Sequence, residues 1–282
     1  MYKKLLSFLL FILSLTSWGQ FSDTLFIYKD SADIRGYQTT FAIFSSVDSF
    51  RIESYSTNVS VGETINLTII NRDTLPHTFT VDNIITTGNI INANDTVTFS
   101  FSFNLPGTHI FYSDVSYGKN LGASGQILVG YENYPHFYWN LFDQEVALSH
   151  DLALLNTSAI PSSYLPEVYT INFNSYPQTI ADTNALVVGN VSDTLIISII
   201  NTGKMAHALH FHGYHVEILF HSKNNLMEGL LKDTFPLEVD AACIVRLIPN
   251  QSGMYPVHDH NLFAVNTGGY PGGMITMINI SP

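Results

Sequence analysis

The chain has 282 residues, of which 46% are hydrophobic and only 12% are charged, and its formal net charge is −12. Many β-branched and aromatic residues beside polar turn residues are typical of β-sheet, and this composition excludes a helical bundle or a disordered chain. The acidic balance and the lack of a basic patch exclude nucleic acid as a partner, because the protein would repel phosphate backbones.

The N-terminus reads "MYKKLLSFLLFILSLTSWGQ" and has the pattern of an export signal. Lys3 and Lys4 precede an apolar run at residues 5–15, and this run is too short to span a bilayer as a helix. Ser17 and Gly19 supply the small residues that a signal peptidase requires. We interpret residues 1–19 as a signal peptide, with an uncleaved anchor as the alternative. The mature protein is then expected to be secreted or periplasmic, with no membrane partner.

After the signal, short runs of alternating apolar and polar residues indicate β-strands. "TINLTIINRDTLPHTFTV" alternates, turns and alternates again, and "DTVTFSFSFNLPGTHIFYSDV" does the same around a Pro-Gly turn. Residues 20–130 are therefore predicted to form one β-sandwich domain. Residues 131–166 contain many aromatic residues, a short helical pattern and a Ser-Pro turn cluster. We interpret this segment as the connection to a second domain.

The second half of the chain repeats the first. "VSDTLIISIINTGKMAHALHFHGYHVEIL" parallels "VGETINLTIINRDTLPHTFTVDNI", and "NQSGMYPVHDHN" parallels "NLPGTHIFYSDV". Such self-similarity indicates duplication of one structural unit. The sequence thus predicts an all-β protein of two tandem sandwiches, the second at residues 167–282. Its only cysteine, Cys243, excludes an intramolecular disulfide and lies in the apolar run "AACIVRLIP", which predicts a buried, inert thiol.

Two His-x-His pairs suggest a metal site. Side chains two residues apart on a strand share a face, so His210 and His212 point one way and His258 and His260 also share a face. If the two strands are neighbours, four imidazoles converge. Clustered imidazoles suit copper, zinc, iron or nickel. The alternative is a hydrogen-bonded polar cluster that holds no metal.

The opposite faces of the same strands carry a second pair of interest. His207 and Asp259 alternate with the residues above, so the sequence predicts that they approach each other behind the four imidazoles. A carboxylate that orients an imidazole is a common catalytic device and also a common structural hydrogen bond. The structural interpretation is preferred, and a hydrolase that uses this acid–base pair is the alternative.

These motifs resemble those of the multicopper oxidases. "HALHFHGYHVEIL" is similar to the family motif His-Pro-x-His-Leu-His-Gly-His, and "GMYPVHDH" is similar to Gly-x-Trp-x-x-His-Cys-His. In the first half, "LPHTFTVD" and "PGTHIFYSD" stand where the family has His-Trp-His-Gly and Gly-Thr-x-Trp-Tyr-His-Ser-His. The resemblance implies two tandem cupredoxin-like Greek-key domains of the plastocyanin type, and it implies copper as the cofactor.

The resemblance breaks at the type 1 copper, which in this family takes electrons from the substrate. Asp259 stands where the family has the cysteine ligand, Ala264 where it has a histidine, and Gly269 where it has the axial methionine. Only His207 of that set remains. A blue copper requires the thiolate, so the resemblance implies a protein that is not blue.

The resemblance also implies an incomplete version of the family's trinuclear cluster, which uses four histidines from each of two domains. The retained ligands would be His77, His210, His212, His258 and His260, with His207 and Asp259 as accessory residues. The other first-domain positions hold Phe79, Tyr112 and Asp114. In short two-domain relatives such sites form between the subunits of a homotrimer, so His77 of one copy would meet the second domain of another.

The sequence therefore supports two main functional hypotheses. The first is a secreted copper-binding protein with a non-blue histidine site, in which oxidoreductase activity without a type 1 copper is an open question; zinc is an alternative metal. The second is a non-catalytic exported scaffold for binding or interaction, since function depends on sites and not on folds. Convergence of the four imidazoles would favour the first hypothesis, and divergent rings the second.

Overall fold

The computed structural model describes residues 19–86, 88–156 and 163–282. The expected signal peptide lies outside the described residues, except for Gly19. None of the helices in the described ranges has the length and apolar character needed to cross a membrane. The described chain consists mainly of β-strands, which confirms the predicted all-β class.

The first sandwich contains eight strands in two sheets, with the orders β2-β1-β4-β6 and β3-β8-β7-β5. Their alternating pattern places the apolar side of β4, for example Ile65, Leu67 and Ile69, in the core between the sheets. The strands are β1 (Gln20–Ile34), β2 (Tyr37–Ser45), β3 (Tyr55–Val59), β4 (Thr64–Asn71), β5 (Thr80–Val81), β6 (Thr96–Phe101), β7 (Gly107–Tyr112) and β8 (Ser124–Val129).

The second sandwich has sheets ordered β10-β9-β12-β17-β14-β15 and β11-β19-β18-β13-β16. Its strands are β9 (His136–Gln144), β10 (Val168–Ile171), β11 (Val187–Asn190), β12 (Leu195–Asn201), β13 (His207–Phe211), β14 (Val216–His221), β15 (Leu231–Lys232), β16 (Thr234–Leu237), β17 (Ala242–Leu247), β18 (Gly253–Asp259) and β19 (Ile275–Ser281). Helix α1 spans Val146–Ala153, and short 3-10 helices span Lys119–Leu121, Gln178–Ile180 and Asn225–Met227.

The strand order of the two sandwiches repeats. The first sheet runs β2-β1-β4-β6 in one domain and β10-β9-β12-β17 in the other, and the second runs β3-β8-β7-β5 and β11-β19-β18-β13. The parallel pairs also recur, because β1 lies parallel to β4 and β9 lies parallel to β12. The internal duplication seen in the sequence is therefore also present in the topology.

This repeat corrects one boundary. The segment 131–166 was interpreted as a connection, but β9 lies inside it and pairs with β12 in the second sandwich. The second sandwich thus begins at His136, not at residue 167. Nearly every residue of β9 is buried. A strand that is covered on both faces loses the polar–apolar alternation by which strands are recognised in sequence.

Buried polar contacts join the two domains. Ser198 on β12 donates from its Oγ to Gln126 Oε1 at 2.6 Å and lies 2.7 Å from the hydroxyl of Thr108, and both partners belong to the first domain. Beside them, an apolar cluster packs Leu128 of the first domain against Ile196 and Ile244 of the second. The domain interface is therefore both apolar and specifically hydrogen-bonded.

Candidate metal centre

The four predicted histidines meet on one sheet face. Strands β13 and β18 are antiparallel neighbours, and their register places His210 directly opposite His258. The ring centroids of His210 and His212 lie 4.6 Å apart, and those of His212 and His258 lie 5.1 Å apart. The centroid of His260 lies 5.7 Å from that of His210. We call these four residues the histidine quartet.

Hydrogen bonds to the Nδ1 atoms orient two of the rings. His258 Nδ1 donates to the carbonyl oxygen of Asp259 at 2.8 Å, and His210 Nδ1 lies 2.7 Å from the hydroxyl of Thr234. Each bond leaves Nε2 as the outward nitrogen. Metal-binding histidines are commonly held in this way, with the second nitrogen bonded to a carbonyl or another polar group.

The outward nitrogens are close enough for shared ligation. His212 Nε2 and His258 Nε2 are 3.0 Å apart. Two nitrogens that each bind one ion at about 2.0–2.1 Å lie roughly 3 Å from each other. Burial, followed by the electrostatic influence of the neighbouring His210 and His258, lowers the pKa of His212 and favours the neutral imidazole that a metal requires.

The turn after β13 fixes the position of His212. Gly213 follows it with a φ of +77°, and a Cβ at this residue would lie 2.6 Å from the ring of Tyr255. Any other residue would be strained and would displace either Tyr255 or the end of the strand. The glycine in "HFHGYH" therefore has a structural role beside the quartet.

The quartet is not a finished coordination site. Within the described ranges, no group of three or more His, Cys, Asp or Glu side chains is arranged to hold a metal ion as it stands. His212 and His260 are exposed and His210 and His258 partly so. Rotation of exposed rings is therefore needed to direct a third nitrogen at the pair already 3.0 Å apart. The chemistry of the donor set, four imidazoles of which two have hydrogen-bonded Nδ1 atoms, fits a copper ion.

Behind the quartet lies a fully buried chain of three charged residues, Asp143, His207 and Asp259, which we call the buried triad. His207 Nδ1 is 2.5 Å from Asp259 Oδ2, and His207 Nε2 is 3.1 Å from Asp143 Oδ2. Burial lowers the pKa of His207, but the hydrogen bonds and charges of the two carboxylates outweigh it and raise this pKa to about 9. The predicted contact between His207 and Asp259 is confirmed.

The buried triad occupies the place at which the resemblance puts a type 1 copper. Both nitrogens of His207 are engaged and its side chain is inaccessible, so the ring is not free to take a proton from a substrate. This argues against the acid–base hydrolase. Cys243 is buried in the core on β17, and burial raises the pKa of its thiol, as expected for an inert cysteine.

His77 is not part of the quartet. It lies in the first domain, 1% exposed, with Nδ1 3.0 Å from the hydroxyl of Ser113 and Nε2 2.9 Å from Asp73 Oδ2. Both nitrogens that could bind a metal are thus occupied. The expectation that His77 supplies a ligand requires this buried arrangement to open.

The internal duplication explains why His77 lies outside the histidine quartet. Asn71 and Asn201 make the same side-chain bond to the carbonyl four residues later, and a histidine follows six residues after each, at His77 and His207. In the first domain Thr80 pairs with Tyr112, as His210 pairs with His258 in the second. His77 is therefore the counterpart of His207, and Thr80 is the counterpart of His210.

The other first-domain positions also serve packing. Phe79 is fully buried in an aromatic cluster with Phe44 and Phe111. Tyr112 donates to Asp82 at 2.8 Å, and Asp114 accepts a bond of 2.5 Å from Thr78. Neither Phe79 nor Tyr112 makes a ring contact with the quartet in the described part of the chain, so neither ring occupies the space between the four imidazoles.

Two residues of the centre were missed from the sequence. Asp143 on β9 is a charged residue in the buried apolar run "FYWNLFDQ", and that contrast is a usable signal because unpaired carboxylates are rarely buried. Thr234 lies 24 residues after His210 and reaches it only through the pairing of β16 with β13. Nothing local in the sequence indicates this contact.

Comparison with known proteins assigns a class to this architecture. The chain resembles the blue copper oxidase from Nitrosomonas europaea (21% identity over 93% of this chain and 86% of that one, TM-score 0.75). It also resembles the multicopper oxidase mgLAC, with 18% identity over 93% of this chain and 87% of that one and a TM-score of 0.75. A copper-containing nitrite reductase from Thermus scotoductus SA-01 matches with 16% identity over 93% of this chain and 62% of that one and a TM-score of 0.71. The fold is therefore that of tandem cupredoxin-like domains, as predicted.

The sequence itself points to one family. Residues 158–271 match the family model for multicopper oxidases. No curated protein matches the chain. The resemblance to multicopper oxidases that the histidine motifs predicted is thus confirmed, and copper is the metal that this family implies.

Proposed function

We propose that this protein binds copper at the histidine quartet, in a non-blue site that has no type 1 partner. The observation that carries the proposal is the convergence of four imidazoles from β13 and β18, with His212 Nε2 and His258 Nε2 3.0 Å apart. A cluster of imidazoles at the protein surface, with two Nδ1 atoms already hydrogen-bonded, suits Cu(II) best among divalent first-row metals.

Copper bound here would supply one-electron redox chemistry. The chain's own contribution is to hold the ligands and to leave them open, because His212 and His260 are exposed to solvent. No thiolate lies behind the quartet, where the buried triad stands instead. We infer that any oxidoreductase activity takes place directly at this surface, on small molecules that reach the exposed rings.

Copper loading with spectroscopy tests the proposal. The mature protein is treated with Cu(II), freed of excess metal, and its copper content, optical spectrum and paramagnetic resonance spectrum are recorded. We expect about one or two retained coppers per chain, no intense band near 600 nm, and loss of copper in His210→Ala and His258→Ala. His215→Ala is the control, because His215 is exposed just after the same turn and is not part of the quartet.

Failure to retain copper in the native chain would overturn the proposal. Retention of zinc but not copper under competition would change the metal and keep the site. An intense blue band would mean that a thiolate binds the metal. Equal loss in His210→Ala and His215→Ala would show that binding is not specific to the quartet.

The second candidate is a non-catalytic exported scaffold. The observation that favours it is the lack, within the described ranges, of any side-chain group already arranged around a metal. Under this alternative the quartet is a polar cluster held by the bond between His212 and His258. Absence of metal retention in the experiment above would support it.

Export and self-association complete the proposal. Residues 1–19 have the pattern of a secretory signal, so we propose that the mature protein is secreted or periplasmic. We also propose a homotrimer, as the resemblance to short two-domain multicopper oxidases implies, and the exposed side chains of Leu262 (70%) and Phe263 (77%), two and three residues after His260, are apolar surface available for such a contact. N-terminal sequencing of the exported protein and its mass in solution test the two points separately.

A further inference from the structure

The residue between the two histidines of the second His-x-His pair is a buried carboxylate that is hydrogen-bonded through both of its oxygens. Asp259 is fully buried, yet it separates two members of the quartet, His258 and His260. Its Oδ2 meets His207 Nδ1 at 2.5 Å, and its Oδ1 accepts from the backbone nitrogen of Asn261 at 2.8 Å. A charged group is retained in such a place only when it is fully paired.

The side-chain bonds of Asp259 fix its own backbone. The carboxylate closes a turn onto the nitrogen of Asn261, while the backbone nitrogen of Asp259 donates to Met274 at 3.1 Å. Next along the chain, the nitrogen of His260 donates to Ala208 at 2.7 Å. The peptide that follows Asp259 therefore has one orientation, and its carbonyl oxygen points in one direction.

That carbonyl oxygen is the acceptor for His258 Nδ1 at 2.8 Å. The ring of His258 is thus oriented by the backbone of the residue whose side chain is anchored in the buried triad. Asp143 secures the far end, since its Oδ2 accepts from His207 and from the backbone nitrogens of Lys204 and Met205. Hydrogen bonds therefore connect Asp143 in the core to His207, His207 to Asp259, and Asp259 to Nδ1 of His258 in the quartet.

We propose that Asp259, held by His207 and Asp143, is the positioning residue of the histidine quartet, and that it directs His258 Nε2 toward His212. This inference rests on the proposed copper site. The buried triad then does more than fill the place of a missing copper. It is the outer support of the remaining site, and partners of this kind commonly change metal affinity by about 10- to 100-fold when they are removed.

The first domain supplies a matched control. His77 is the counterpart of His207, and it is likewise buried between Asp73 on Nε2 and Ser113 on Nδ1. Asp73→Asn therefore neutralises a buried carboxylate that is bonded to an imidazole Nε2, as Asp143→Asn does. It does so in a domain whose equivalent surface positions, Thr80 and Tyr112, are not histidines.

The experiment compares Asp259→Asn, Asp143→Asn and Asp73→Asn in the full mature chain. Copper affinity is measured by competition with a chelator, and the copper hyperfine pattern is recorded by paramagnetic resonance. We expect Asp259→Asn to weaken Cu(II) binding by about 10- to 100-fold and to alter the hyperfine pattern, with a smaller change of the same direction in Asp143→Asn. Asp73→Asn should keep the native affinity and spectrum even if its melting temperature falls.

The outcomes separate this inference from the proposed function. If the native chain retains no copper, the proposed site fails, and the positioning role fails with it. If the native chain binds copper and Asp259→Asn and Asp143→Asn keep the same affinity and spectrum, only the positioning role is wrong. If Asp259→Asn does not fold, Asp143→Asn decides, because it keeps an acceptor of the same shape at the distant end of the buried triad. Equal losses in Asp143→Asn and Asp73→Asn would also overturn the inference, since they would indicate general destabilisation.

Discussion

His109 is a half-buried histidine whose Nε2 atom is buried and has no hydrogen-bond partner among the described residues. Its ring stacks on Phe103 with centroids 4.0 Å apart, and burial lowers its pKa to about 4. The unfolded chain takes up a proton near pH 6.5, whereas the folded chain does not until about pH 4. Stability should therefore fall as the pH decreases from about 6.5 to 4, by up to about 3 kcal/mol.

His109→Phe tests this prediction, because it keeps a ring on Phe103 and removes the titrating group. We expect the variant to lose less stability than the native protein between pH 6.5 and 4 in denaturant unfolding. His136→Phe is the control, since His136 is a similarly half-buried histidine at the start of β9 whose Nδ1 lies 2.9 Å from the carbonyl oxygen of Tyr134. Parallel pH profiles for the native protein and His109→Phe would show that another group causes the acid sensitivity.

At the scale of single residues, the sequence predicts the face of a side chain better than its distant partners. The two-residue period of a strand correctly placed the quartet together and His207 behind it. It could not reveal Asp143 or Thr234, which reach the site through strand pairing. The sequence reading matched His77 to His210 because "HTF" resembles His-x-His with one substitution. The alignment of the two domains depends instead on the turn after Asn71, which makes His77 the counterpart of His207.

Strand β8 depends on a glycine in its interior. A Cβ on Gly125 would lie 2.3 Å from Phe111 Cζ and 2.4 Å from the carbonyl oxygen of Tyr55 on the paired strand. The carbonyl cannot move without disturbing the pairing of β3 with β8. We expect Gly125→Ala to lower the free energy of unfolding by about 3 kcal/mol, the upper part of the range for overpacked cores.

Gly189→Ala on strand β11 is the matched substitution. There the nearest atoms to an added Cβ are the terminal methyl carbons of Leu195, at 2.9 and 3.0 Å, and a side chain can adjust by rotation. Denaturant unfolding of both variants should give the larger loss for Gly125→Ala. A larger loss for Gly189→Ala would mean that the backbone of β3 yields more easily than the Leu195 side chain.

At the scale of elements, strands were correctly predicted from the sequence where one face of the strand is exposed to solvent. β4 alternates cleanly between buried and partly exposed residues and was recognised. β9 was missed because the first domain covers its outer face, so that eight of its nine residues are buried. Burial by another domain is a long-range property, and a local pattern cannot contain it. Only the topology, in which β9 and β10 occupy the places of β1 and β2, reveals the two strands.

The whole molecule depends on the polar contacts in the domain interface. Ser198 joins Thr108 and Gln126 across it, and all three side chains are buried. Ser198→Ala removes the 2.6 Å hydrogen bond that the buried Gln126 Oε1 accepts. We expect a loss of about 1–3 kcal/mol in the free energy of unfolding, as for other buried polar groups that lose a partner.

The location of this loss makes the prediction specific. Because the bonds of Ser198 connect the domains, its removal should weaken their coupling as well as their stability, and thermal unfolding followed by calorimetry should become broader or split. Thr68→Val is the control, since Thr68 bonds to Thr98 at 2.9 Å on the outer surface of the first domain. Thr68→Val should lower the free energy of unfolding by less than about 1 kcal/mol and leave the width of the thermal transition unchanged. A sharp single transition with equal losses in both variants would mean that apolar contacts such as Leu128 with Ile196 couple the two sandwiches without help from the polar ones.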